Sequence, residues 1–250
     1  MRELCHSGRA NVFVLAFMSI CQAGLCPALS AQEPLKSDKP PLAKQLESML
    51  RAVVEDIPGL PRVLLIGDSI SMGYAQPVRE LLKGKANIHR PSENCGPTEH
   101  GLKQLDEWLG DGKWDLIHFN FGLHDLKYLD DKGRYVGPEN GKQVAPLPDY
   151  EHNLRELVTR LKKTGAKLVW CATTPVPEGS QGRVKGAEVE YNLVAEKIMK
   201  ENGVAINDLH ALAQEHQDQI QLPRNVHFTE DGYKKLAEQV VASIQAQLGK

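Results

Sequence analysis

From Arg62 onward the chain alternates short apolar runs with amphipathic stretches. Arg62 to Ile66 is dense in branched apolar residues, which suits a strand buried on both faces. Asp115 to Phe121, Lys167 to Thr173 and Val204 to Asn207 repeat that pattern, and Ala86 to His89 is a weaker instance. Between the runs lie spacings of three and four. Tyr150 to Lys163 carries Leu154, Leu157, Val158 and Leu161, and Ala187 to Glu201 carries Tyr191, Val194, Ala195, Ile198 and Met199. The last stretch, Glu230 to Leu248, carries Tyr233, Leu236, Ala237, Val240, Val241, Ile244 and Leu248. Each spacing places one apolar stripe on a helix. Strands alternating with helices predict an α/β domain with a central parallel sheet of about five strands covered on both faces. Lys127 to Pro148 interrupts the pattern with a polar connection holding Gly133, Gly137, Gly141, Pro138, Pro146 and Pro148. Connections of that length are usually functional, and this one is expected over the site as a substrate loop.

The beginning of the chain has another character. Arg2 and Arg9 flank the start, Val12 to Ile20 is almost wholly apolar, and Ala28, Ser30 and Ala31 are small. Charged start, apolar middle and small-residue exit make the layout of a secretory signal peptide. The strictly apolar part is shorter than a bilayer-spanning helix needs. The reading is therefore a signal peptide over residues 1–31, a Pro- and Lys-rich linker over 32–45 and one domain over 46–250. Leu46, Leu50, Val53 and Val54 predict a short lead-in helix, ended by Pro58 and Pro61. A secreted or periplasmic protein follows, with no stable membrane insertion after cleavage. Cleavage removes Cys5, Cys21 and Cys26 and leaves Cys95 and Cys171, too few for a disulfide framework. They are read as two small buried thiols, with a single bridge between them left open.

Composition narrows the partners. Hydrophobic residues make up 41% and charged residues 25%, ordinary globular values, and the net charge is -2. No basic stripe of the kind that marks nucleic-acid binding is visible. The clusters Lys163 to Lys167 and Lys234-Lys235 read as solvated helix ends. There is no His-Glu-x-x-His pattern and no paired cysteine ligand set, so neither a metal nor an organic cofactor is expected.

Four short features carry candidate chemistry. Gly67-Asp68-Ser69 follows the first strand directly and opens a helix, where backbone N–H groups favour developing negative charge. In an open parallel sheet, ligands bind beyond the carboxyl ends of the strands. Val226-His227-Phe228-Thr229 precedes the last helix, and a histidine there can serve a serine as base. Asn94-Cys95-Gly96-Pro97-Thr98 follows the second strand, and Gly122-Leu123-His124-Asp125 closes the third. Either can supply hydrogen-bond donors. Taken singly, each is also a capping turn, a turn glycine or a strand-end histidine.

Together, in the order Ser69, Gly96, His124, His227, they resemble the SGNH/GDSL hydrolases, over Arg62 to about Leu248. Thr173-Thr174-Pro175 and Tyr191-Asn192 look like carbohydrate-esterase members of that group. The resemblance implies a flavodoxin-like three-layer α/β/α sandwich and hydrolysis of an ester. Expected export and the polar loop favour a small acyl group, chiefly acetyl, on a sugar or polysaccharide, with a short-chain lipid or other small-molecule ester left open. It implies Ser69 as nucleophile, His227 as base, and the amides of Ser69 and Gly96 with the His124 side chain as oxyanion donors. It places Asp68, Asn94, Asp125 and Thr174 beside the substrate. The chain departs from the family at two positions. His124 stands where the family usually has Asn, which keeps a donor. Arg224 stands where it usually has Asp, three residues before the histidine. A backbone carbonyl, or an acid such as Asp208 or Asp231, is expected to orient the His227 ring instead. A non-catalytic carbohydrate-binding relative and an O-acyltransferase are the competing readings.

Overall fold

The computed structural model describes residues 54–249. The expected signal peptide and linker, and the expected lead-in helix as far as residue 53, lie outside them. The strands are β1 (Arg62–Ile66), β2 (Asn87–His89), β3 (Leu116–Phe119), β4 (Tyr128–Leu129), β5 (Lys142–Gln143), β6 (Lys167–Cys171) and β7 (Ala205–Asn207). The α-helices are α1 (Ser69–Leu81), α2 (Thr98–Leu109), α3 (Leu147–Lys162), α4 (Glu188–Asn202), α5 (Leu209–Glu215), α6 (Gln217–Ile220) and α7 (Glu230–Leu248).

Five strands form one parallel sheet in the order β2-β1-β3-β6-β7, the order of a flavodoxin-like fold. Val63, Leu65, Leu116, Ile117 and Val169 are completely buried. That follows from helices lying on both faces, and it explains why these segments read as continuous apolar runs. α1 packs on α7, which also covers β3, β6 and β7, while α2, α3 and α4 pack side by side. The result is the expected three-layer sandwich. Cys95 and Cys171 are both buried and free, which closes the disulfide question.

Several sequence boundaries shift by a few residues. β3 ends at Phe119 and β6 at Cys171, shorter than the apolar runs. The residues beyond leave the sheet edge to bond sideways: Asn120 donates its amide to the Cys171 carbonyl at 2.7 Å. The connection after residue 127 has structure of its own. β4 and β5 pair antiparallel, with a 3-10 turn at Pro138–Asn140 between them. Among the described residues no helix is long and apolar enough to cross a membrane.

Candidate active site

β1 delivers the chain to the carboxyl edge of the sheet, where Gly67 and Asp68 turn it into α1. Asp68 is the N-cap: its backbone is extended and its Oδ1 accepts the Ile70 N–H at 2.9 Å, satisfying one of the first-turn donors. Ser69 becomes the first helical residue, so its own N–H has no partner within the helix. Arg90 holds this turn from within the fold. Its buried guanidinium donates to the Gly67 carbonyl at 2.9 Å and to Ser71 Oγ at 3.2 Å. The other arm donates to the carbonyls of Pro91 at 2.8 Å and Glu93 at 3.1 Å. One cation thus ties the serine turn to the loop that carries Asn94 and Gly96.

His227 arrives from the opposite end of the chain, on a tight loop between α6 and α7. Leu222 N–H donates to the His227 carbonyl at 2.9 Å, and Thr229 N–H to the Ile220 carbonyl at 2.8 Å. Thr229 then caps α7 by accepting the Gly232 N–H at 3.0 Å. So held, His227 Nε2 lies 2.9 Å from Ser69 Oγ.

On the far side of the ring stands Asn225. Its Oδ1 accepts both the His227 backbone N–H at 3.1 Å and the ring Nδ1–H at 2.8 Å. The backbone donor settles which amide atom faces the histidine, because only the oxygen can accept. Nδ1 therefore carries the ring proton, and Nε2 is left to accept from the Ser69 hydroxyl. Burial lowers the His227 pKa from its ordinary value, the Arg183 charge adds to this, and Asp68 opposes it.

The expected orienting groups are corrected here. Asp208 caps α5, accepting the Ala211 N–H at 2.9 Å. Asp231 lies exposed beside Lys234 at 3.3 Å. Neither touches the ring, and the acceptor is a side-chain amide rather than a backbone carbonyl. Arg224 is exposed and takes a left-handed backbone, φ 57°.

A cleft of about 440 Å³ opens over Ser69 and His227, and its wall includes Asp68, Asn94, Leu123 and His124. Tyr135, from the connection between β4 and β5, lines it too, so the expected substrate loop reaches the site. His124 Nδ1 lies 3.2 Å from Lys127 Nζ. An ammonium can only donate, so Nδ1 accepts and Nε2 bears the proton. Burial pushes the His124 pKa down to about 4, which keeps the ring neutral at ordinary pH.

Three other expected site residues are placed differently. The Gly96 N–H already donates to Asn94 Oδ1 at 3.0 Å, so it can hold an oxyanion only after the Asn94 side chain moves. Asp125 is completely buried outside the cleft lining. Its Oδ1 accepts the Thr98 N–H at 2.8 Å and the Thr98 hydroxyl at 2.6 Å, fastening α2 to the end of β3. Thr174 is buried as well and lies against Ile70, Tyr74 and Leu209. Neither meets a ligand in the cleft.

The family model described as GDSL-like lipase/acylhydrolase matches residues 65–235. The chain belongs to that family. As a GDSL-like acylhydrolase it is a carboxylic ester hydrolase. Its fold is shared by solved structures of low sequence identity. A lipase/acylhydrolase from Enterococcus faecalis is 18% identical with a TM-score of 0.62, over 75% of this chain and 96% of that one. A variant of an acetyl xylan esterase from Geobacillus stearothermophilus is 20% identical with a TM-score of 0.60, over 74% and 94%. Another acetyl xylan esterase is 15% identical with a TM-score of 0.60, over 73% and 99%. No curated protein sequence matches the chain.

Within this GDSL-like acylhydrolase, Asp125 has a consequence for stability. Burial raises its pKa from 3.8 to about 7, and its Oδ2 has no hydrogen-bond partner. Between those two values the folded chain keeps a proton that the unfolded chain has released. The Asp125 contribution is therefore fully present below the lower value and is lost as pH climbs to the upper one. The urea midpoint is expected to decline across that window. Asp125→Asn, which keeps the acceptor for Thr98, is expected to flatten the decline. An equal slope in the variant would assign it to other groups.

Proposed function

We propose that the protein is an exported serine esterase that removes small acyl groups, chiefly acetyl, from carbohydrate through an acyl-enzyme. The observation that carries this reading is the relay from Ser69 Oγ through both ring nitrogens of His227 to Asn225 Oδ1. Nε2 takes the Ser69 proton as Oγ attacks the ester carbonyl, and then returns it to the departing alcohol. Water, deprotonated by the same nitrogen, releases the acid from Ser69. The amide of Ser69, at the start of α1, and the Nε2–H of His124 stabilise the negative oxygen formed at each attack. Among the described residues no group of three or more His, Cys, Asp or Glu side chains is arranged to hold a metal, and the steps above need none. The acetyl group and the carbohydrate are supported by the acetyl xylan esterases that share the fold. Export rests on the pattern of residues 1–31. The intact relay disfavours a non-catalytic relative. Hydrolysis of a short aryl acetate, with one equivalent of a fluorophosphonate bound at Ser69, tests the reading. A protein inert to both overturns it.

The same scheme makes His124 an oxyanion donor. His124→Ala is expected to lower the turnover number by about a hundred- to a thousandfold. The Michaelis constant should change little, because the bond strengthens mainly in the transition state. His124→Asn should recover part of the loss. Equal turnover in His124→Ala and the unmodified enzyme would limit His124 to shaping the wall.

A further inference from the structure

We propose that the cleft is built for an ester whose alcohol part carries a carboxylate, as an O-acylated uronic acid does. This inference rests on the esterase reading above. Three charged side chains line the cleft: Asp68, Arg183 and Arg224. The carboxylate is not available to a ligand, since Asp68 is buried and its Oδ1 accepts the Ile70 N–H. Of the two guanidinium groups, only Arg183 feels that carboxylate. Arg183 donates to the carbonyls of Leu123 at 2.8 Å and Gln181 at 3.2 Å, contacts that fix its position, and the Asp68 charge offsets only this one of the cations around the cleft. Arg224 makes no hydrogen bond or ion pair among the described residues. A third cation, Lys127, bonds to the wall residue His124. Lys127 Nζ and the Arg183 guanidinium lie 5.2 and 5.6 Å from the centre of the Tyr135 ring, which holds both beside the cleft. Cations gathered in a partly enclosed cleft favour an anionic ligand, and the planar guanidinium matches a carboxylate with two parallel hydrogen bonds.

The position of Arg224 says which half of the ester bears the charge. It is bonded in sequence to Asn225, on the His227 wall. In acylation His227 gives its proton to the departing oxygen, so the alcohol part lies along that wall, with the carbonyl oxygen toward His124 and the start of α1. A carboxylate on the alcohol then lies on the side of the cleft that carries Arg224. At the place where the family usually puts an acid to serve the histidine, this chain puts a cation to serve the substrate.

The test compares 4-acetoxybenzoate with its methyl ester, which have the same acetyl group and differ in the charge of the alcohol part, each kcat/KM being divided by that ester's own rate with hydroxide to remove the difference in leaving-group strength. The acid is expected to show a kcat/KM about tenfold higher, the size of one charge-assisted contact. Raising the ionic strength from about 0.02 to about 0.5 M should erase most of that preference, and Arg224→Gln should collapse the ratio. Equal kcat/KM for the two esters at low salt overturns the inference and leaves the esterase standing. Hydrolysis of neither ester overturns both. A preference for 4-nitrophenyl hemisuccinate over 4-nitrophenyl acetate, without one for 4-acetoxybenzoate, would move the charge to the acyl side and also overturns it. With 4-acetoxybenzenesulfonate as a third arm, a preference for the sulfonate over the carboxylate would overturn the carboxylate assignment. If Arg224→Gln does not fold, the salt dependence of the native enzyme decides alone.

Discussion

Ser69→Ala is expected to reduce turnover on an aryl acetate by about a millionfold, to near the solution background. The effect is that large because, on the proposed mechanism, nucleophile and base act as one unit. Without Oγ there is no acyl-enzyme, and the histidine has no proton to take. The substitution should leave the fold intact, since Asp68, not Ser69, caps α1, so the thermal transition should be close to that of the native protein. Fluorophosphonate labelling should vanish with the activity. Native-level hydrolysis by the alanine variant, after purification from any contaminating esterase, would remove Ser69 from the mechanism.

The second large effect is expected at Asn225. Asn225→Ala deletes the acceptor that fixes the Nδ1–H tautomer, and loss of the equivalent group in a serine triad costs up to about ten-thousandfold in turnover. A fall of between about a hundredfold and that limit is expected, with the ring free to turn away from Ser69. Asn225→Asp tests the charge. A neutral amide orients the imidazole without stabilising its cation, whereas a carboxylate does both. The native His227 pKa is lowered from its ordinary value, first by burial, and the base works only when neutral. Activity should therefore persist below the pH at which an unperturbed histidine would switch it off. A carboxylate at 225 raises the pKa of the ring, so the acid limb of the kcat/KM profile should move to higher pH. An unshifted limb would mean that Asn225 does not face the titrating group.

The parts of the fold that were legible in the sequence are those where burial alone decides the residue type. β1 and α7 follow the predicted bounds, since a strand covered on both faces and a long helix with a full apolar stripe each leave an unbroken pattern. α2 leaves almost none. Its buried residues are Thr98, Gly101, Leu105 and Trp108, two of them small because Phe121 and Asp125 press against that face. α1 is interrupted by Pro77 and by Gly73, which obscures its period. At the site, Ser69 and His227 could be paired from their places after β1 and before α7. Asn225 could not be found by looking three residues before the histidine, where an acid was sought. Its signal is local: an Asn two residues before a His can accept the histidine's backbone N–H and, from the same oxygen, its ring. The left-handed backbone of Arg224 belongs to the turn that makes this possible. Burial of Asp125 and Thr174 was hidden as well, because polar residues at strand ends look alike whether they face a ligand or a neighbouring helix.

Gly73 sits where α1 crosses α7, and any side chain there would run into the Tyr233 ring. That contact joins the first and last of the described helices, and with them a serine and a histidine 158 residues apart in sequence. Neither helix can set the distance between them without the other. On the proposed mechanism, a refolding chain therefore gains its hydrolytic power only when α7 has docked on α1. The time at which ester cleavage first appears during refolding is then a clock for that one docking event, read from the chemistry itself.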